Sequence, residues 1–208
     1  LNYGSSLAIQ KLAKAGVFCL CLLPFFFLLL RIIQNDMGPD PVQELSKETG
    51  EWTLRFLLIA LSVTPLRQIT GVVSIIRQRR MLGLFVLFYA SCHFFVWMMF
   101  LLEFRWTVIF EEIVERPYIT VGFSAYLILL ALGVTSPKAM VRRLGKNWKK
   151  LHRLIYLAAI LGVVHLLWIL RLDIGEAILY GALVFLLLGF RLVRYLMAGN
   201  AGLPWNWN

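Results

Sequence analysis

The sequence predicts an all-α integral membrane protein, a six-transmembrane-helix bundle with both termini cytoplasmic. Three observations carry this. The 208 residues are 60% hydrophobic and only 15% charged, where a soluble domain has roughly a quarter of its residues charged. The apolar residues fall in six runs, at about 10–33, 53–70, 81–102, 118–136, 151–171 and 177–197. Each is close to the roughly 20 residues that a helix needs to cross a hydrocarbon core of about 30 Å. Finally, the charges separate onto the two sides that alternate crossing defines. The runs take up nearly all of residues 1–208, which we read as one domain with no soluble part left over.

The first run contains LLPFFFLLL (22–30) and the last LYGALVFLLLGF (179–190). Neither alternates in polarity, which excludes the strands of a membrane β-barrel. Lys11 and Lys14 precede the first run as in a signal peptide, but it stays apolar too long and no small-residue cleavage pattern follows, so a retained helix is expected. Ahead of the second run, DPVQELSKETGEW (40–52) has the signature of a helix start: Asp40 as N-cap, Pro41 as first helical residue, Gln43 as capping partner. EEIVE (111–115) predicts a partly helical loop between the third and fourth runs. Cys19, Cys21 and Cys92 all lie in apolar runs without a C-x-x-C pair and read as small hydrophobes. No internal repeat, low-complexity tract or Gly/Ser linker is visible.

One side of the bundle collects residues 1–14, the 67–80 and 137–150 loops and the C-terminus. It holds fifteen of the 21 lysines and arginines and no acid; the other side holds all eleven acids, Asp173 among them. The net charge of +10 is thus +15 on one face and −5 on the other. The positive-inside rule places the basic face and both termini in the cytoplasm. The bases sit at membrane edges, where they meet the lipid bilayer, so no nucleic-acid partner is expected. Trp97, Trp106, Trp168 and Trp205 suit an interfacial belt.

The chain has three histidines, His93, His152 and His165, all in or at the ends of apolar runs. At 1.5 Å per residue, His93 stands about 20 Å from the basic end of its helix and His165 about 22 Å from the basic end of its own. A single buried histidine in a membrane helix is most often a hydrogen-bonded packing residue. Two at one depth, on helices running in the same direction, are what a bis-histidine b-type haem needs, because neutral imidazole is a good iron ligand. Ala90, Ser91, Ala159 and Gly162 are the small residues that would let a flat ring lie close. His152 lies near the basic edge, as a snorkelling interfacial residue or as a ligand. Thirteen residues turn a helix by about 220°, so His152 and His165 do not share a face unless the helix is irregular, with Gly162 the expected place. Arg79 or Arg80 could pair a propionate or a flavin phosphate at the basic end, and Arg105 or Arg116 a propionate at the acidic end. The seven bases of SPKAMVRRLGKNWKKLHR (136–153) suit inside topology and anionic lipid, and equally a flavin phosphate or an acidic reductase.

RPYITVGFSAYLILLALGVTS (116–136) and RRLGKNWKKLHRLIYLAAILGVVHLLW (142–168), with DPVQELSKETGEWTLRFLLIALSVTPLR (40–67) and RRMLGLFVLFYASCHF (79–94), resemble the ferric-reductase-like transmembrane family. The likeness extends over about 10–197 and is greatest to members that serve as haem-binding subunits of bacterial periplasmic methionine-sulfoxide reductase systems. It implies an electron carrier of the bacterial inner (cytoplasmic) membrane that is not itself the sulfoxide-reducing catalyst. Electrons would come from a cytosolic flavin reductase, through a bound FMN, or from the quinol pool. They would cross on haem b, in one or two copies, to a periplasmic molybdopterin enzyme. His93, His152 and His165 occupy the family's haem-histidine positions. Larger relatives, the NADPH oxidases and ferric reductases, carry four such histidines; here the missing one would fall near Arg79 or Arg80. The residues agree that electrons arrive from a partner, because no G-x-G-x-x-G nucleotide fingerprint is present. One rival reading is a proton-coupled transporter using the buried histidines as a relay; no Asp or Glu lies within a predicted span to support it. Another is a non-redox anchor, which leaves the matched histidines unexplained.

Overall fold

A computed structural model describes residues 3–170 and 174–200. In chain order it has α1 (Tyr3–Ile33), α2 (Pro41–Thr70), a 3-10 segment (Val73–Gln78), α3 (Arg79–Val96), a π-helical turn (Trp97–Leu101), α4 (Trp106–Glu115), α5 (Pro117–Val134), α6 (Lys138–Leu144), α7 (Lys146–His152), α8 (Leu154–Ile169) and α9 (Gly175–Asn200). Asp173, Trp205 and the last residue of the predicted 151–171 span, Arg171, lie outside the described residues.

Among the described residues, five stretches are long and apolar enough to cross a membrane: Gln10–Ile33, Val73–Leu101, Pro117–Val134, Lys146–Ile169 and Gly175–Met197. The remaining predicted run, 53–70, is the later part of a 30-residue helix. The first half of α2 carries Lys47, Glu48, Glu51 and Arg55, which dilutes its apolar character. Asp40 caps that helix, its Oδ1 accepting from the Gln43 N–H at 3.0 Å, with Pro41 in the first turn. Gly71, at φ +71°, ends it and donates its N–H to the Arg67 carbonyl. In an α-helix this left-handed cap is the ordinary place for glycine. α2 runs inside the bundle, with Leu54, Phe56, Leu57, Leu61 and Val63 all buried. It packs most extensively along α3, as α5 does along α8. These two antiparallel hairpins are the centre of the molecule.

The run predicted at 151–171 is broken at Arg153, not at Gly162. Around the break the backbone tightens, Arg153 N–H donating to Lys150 O and Tyr156 N–H to Arg153 O. Gly162 stays helical; its missing Cβ admits the Leu54 methyl, which would lie 3.2 Å from one. α9 is tied to the hairpins by Arg191, whose guanidinium donates to the Tyr156 hydroxyl and the Leu61 carbonyl, each at 2.6 Å.

α1 lies outermost, with Phe26, Phe27 and Leu30 more than half exposed, as a lipid-facing helix should be. Its attachment centres on Pro24, which supplies no N–H and disrupts the ladder there. Tyr89 of α3, fully buried, inserts its hydroxyl at this point. It donates to Cys21 O at 2.8 Å and accepts from Phe25 N–H at 3.1 Å, the two groups that an uninterrupted helix would pair with each other. Its ring stacks on Phe56 at 4.9 Å. Replacing Tyr89 with Phe keeps the stack and strands both backbone groups, at a cost of about 1–3 kcal/mol. Reversible unfolding in mixed micelles should show that loss, and an unchanged stability would mean that the hydroxyl does not hold the break.

Candidate functional site

His93 projects from α3 and His165 from α8, and their ring centres stand 6.3 Å apart with the planes at 78°. Each ring is held in the same way. His93 Nδ1 lies 2.9 Å from the Ser46 carbonyl of α2, and His165 Nδ1 lies 2.6 Å from the Tyr118 carbonyl of α5. A carbonyl can only accept, so both rings carry their proton on Nδ1, and the lone pair of each neutral ring is on Nε2. This is the tautomer of a metal-binding histidine whose second nitrogen is fixed by an outer partner.

The helix geometry shows why these carbonyls are reachable. A carbonyl inside an α-helix already accepts from the N–H four residues on, and its second lone pair is normally flanked by that residue's Cβ. Here the residues four on are Gly50 and Gly122. A Cβ on Gly50 would lie 3.2 Å from the His93 ring, and one on Gly122 only 2.6 Å from His165 Nδ1. Both histidines follow their carbonyl residue by 47 positions. The two hairpins therefore hold their histidines by the same arrangement at the same spacing. The two hairpins otherwise share little side-chain identity. Their shared parts are a histidine, a glycine and a backbone oxygen, and any residue supplies the last.

Around the pair is a cavity of about 1110 Å³ at the acidic end of the bundle. Its floor is apolar, from Leu54, Leu57, Ala90, Leu129, Ala158 and Gly162. Its mouth is charged, with Arg31, Lys47, Glu51, Glu112, Arg116 and Glu176. Arg31 pairs with Glu48 at 3.1 Å and Glu44 at 3.5 Å, Arg116 with Glu112 at 2.8 Å, and Glu51 with both Lys47 and Arg55. Glu51 is 7% exposed. Burial pushes its carboxyl above the usual range and the Arg55 guanidinium pulls it back. It lies just ahead of the predicted 53–70 run, where the sequence showed no carboxylate in a span. Of the small residues expected near the rings, Ala90 and Gly162 line the cavity, while Ser91 and Ala159 do not; of Arg105 and Arg116, only the second does. Gly50, Gly122, Arg31 and Lys47 were not expected.

His152, Arg79 and Arg80 stand at the opposite, basic end and are not part of this cavity. His152 stacks on Trp148 with ring centres 3.9 Å apart, and its Nδ1 is 3.2 Å from Trp148 O. Its Nε2 is buried without a hydrogen-bond partner among the described residues. Arg79 lies within electrostatic range of it. No group of three or more His, Cys, Asp or Glu side chains able to hold a metal ion occurs among the described residues.

A helical bundle of this kind, with two imidazoles from separate helices lining one cavity, defines a multi-pass membrane protein built around a paired-histidine centre. The family model of the ferric reductase like transmembrane component matches residues 15–163, and the chain belongs to that family. The protein-methionine-sulfoxide reductase heme-binding subunit MsrQ of Xanthomonas euvesicatoria pv. vesicatoria is 51% identical over 164 residues, which covers 79% of this chain and 75% of that one. The subunit of the same name from Rhodospirillum rubrum is 42% identical over 194 residues, 93% of each chain. No solved structure matches the chain.

The unequal clearances at the two glycines give a graded test. Gly122→Ala should push the His165 ring off the Tyr118 carbonyl, and ¹⁵N spectra of histidine-labelled protein should lose its Nδ1-protonated signal. Gly50→Ala requires a shift of only a few tenths of an ångström, and the His93 signal should persist.

Proposed function

We propose that the chain is a haem b transmembrane electron carrier of the bacterial inner membrane. It passes electrons from a cytosolic flavin reductase or the quinol pool to a periplasmic molybdopterin-dependent methionine sulfoxide reductase, for repair of oxidised periplasmic proteins. In this reading α2 makes the sixth crossing and both termini are cytoplasmic.

The observation that carries it is the pair of fixed imidazoles. Two rings bound on opposite sides of one metal, at the metal–nitrogen distance of about 2.0–2.1 Å known for zinc, stand with centres about 6.4 Å apart. His93 and His165 are at 6.3 Å. Two protein ligands are too few for a bare ion, but they suffice for iron already held by a macrocycle. The residues present thus fit haem, and His93 and His165 would be the residues that hold its iron. When bound, haem supplies a site that gains and loses one electron. The chain's own part is to hold Nε2 of each ring toward the cavity, to raise its donor strength through the carbonyl at Nδ1, and to keep water from the apolar floor. Arg31, Lys47 and Arg116 are the cations of the mouth; each is paired with a carboxylate and could exchange that partner for a propionate.

His152 is the remaining imidazole, and in this reading it is the ligand of a second, inner haem b, with Arg79 or Arg80 beside it; its buried Nε2 makes no well-formed hydrogen bond among the described residues, although the Leu132 carbonyl is near the ring. FMN at the basic end rests on the resemblance alone. The names of the relatives support the methionine-sulfoxide reductase system as the destination of the electrons.

The test is the visible spectrum of purified protein, oxidised and reduced with dithionite. We expect a Soret band and sharp reduced α and β bands. His93→Ala and His165→Ala should each lose most of the haem, and His152→Ala the inner portion alone. Absence of any haem band, from cells able to make haem, would overturn the reading.

A further inference from the structure

α4 is ten residues long, about 15 Å, and so cannot cross a bilayer. Its sides differ sharply. Ile109 is buried and, with Val108 and Ile113, packs on Met98, Leu102, Phe94 and Trp97. Next to that seam, Trp106, Phe110 and Val114 repeat every four residues and form a second apolar strip. They are 61%, 67% and 79% exposed. At about 100° per residue, Glu111 and Glu115 fall on the far side of the helix from Trp106. The exposed strip does not stop with the helix. Phe104 packs beside Trp106 with ring centres 6.4 Å apart, and Phe100, Met99 and Phe95 continue it down the outside of the Val73–Leu101 span. That flank of the span faces lipid, so the strip on α4 is the upper edge of a lipid-facing surface. The two positive-φ residues that precede α4, Glu103 and Phe104 at 50° and 55°, turn the chain from the span onto this course.

We propose that α4 is an interfacial helix. It lies in the membrane plane at the acidic end, with Trp106, Phe110 and Val114 among the acyl chains of that leaflet and Glu111 and Glu115 toward water. Helices of this type sink their apolar face by about 5–10 Å. The contact has a consequence for the cavity. α4 carries Glu112, whose carboxylate pairs with Arg116 in the cavity mouth, and its Ile109 packs on Leu102, which lines the wall. Lipid under α4 therefore sets the height of that wall. The inference does not depend on what occupies the cavity.

The experiment places single cysteines at Phe110, Val114, Glu111 and Glu115, with the parent protein as the blank for Cys19, Cys21 and Cys92. Each variant is reconstituted alone into nanodiscs of phosphatidylethanolamine and phosphatidylglycerol and labelled with a membrane-impermeant maleimide. Phe110→Cys and Val114→Cys should label about tenfold or more slowly than Glu111→Cys and Glu115→Cys, as an acyl-chain location requires. Two positions on each side keep the comparison valid if one variant folds poorly. Equal rates on both sides in the nanodiscs would overturn the proposal. So would protection of Phe110→Cys that is seen in native membranes and absent in the nanodiscs, since a protein partner would then cover the strip.

Discussion

The bond between an imidazole N–H and a helix carbonyl that is already in use is the interaction on which the rest of this structure depends. A histidine in a bilayer is costly unless its polar atoms are satisfied, and the nearest acceptors in a helical bundle are backbone oxygens with one lone pair free. Reaching that lone pair requires two helices to approach closely and a glycine at one position. From this follow the intimate pairing of α2 with α3 and α5 with α8, the fixed tautomer of both rings, and the shared cavity into which their Nε2 atoms are free to point. The second hairpin uses the same arrangement, and the two rings meet at the same level.

The crossing segments were legible in the sequence because an unbroken apolar run of about twenty residues is the length a helix needs in lipid. The matched depth of His93 and His165 was legible for an equally simple reason: rise per residue and a charge-defined edge suffice to place them. Other features were hidden in groups that sequence does not distinguish. The carbonyls of Ser46 and Tyr118 have no signature, and a serine and a tyrosine in that role look unrelated. Gly50 and Gly122 become meaningful only when the opposing helix is known. The start of α2 was legible from Asp40 and Pro41, but its continuity with the 53–70 run was not, because Lys47, Glu48 and Glu51 interrupt the apolar character, although in the fold they form ion pairs. The break at Arg153 lies in a segment whose residues all favour helix, so nothing local announced it.

The two ends of the bundle solve their electrostatics differently. At the acidic end the described arginines and lysines are paired with carboxylates, and those pairs join α1 to α2, and α4 to the start of α5. At the basic end no carboxylate is at hand. There the two terminal nitrogens of Arg191 donate to a hydroxyl and a backbone oxygen, and Trp148 donates to the Thr135 carbonyl at 2.9 Å. One end is cross-linked by charge and the other by neutral acceptors, so added salt weakens the exposed ion pairs of the first and relieves repulsion among the bases of the second.

The interruption of α1 at Pro24 also makes that helix a lever. Arg31, which reaches Glu44 and Glu48 at the cavity mouth, lies six residues beyond Phe25, about 9 Å along the axis. A tilt of 10° about the point where Tyr89 enters the helix would carry the Arg31 backbone sideways by roughly 1.6 Å, enough to break a hydrogen-bonded ion pair. The hydroxyl of a tyrosine on α3 thus aims an arginine on α1 at the acids of α2, and the alignment of the cavity mouth is decided in the middle of the bundle.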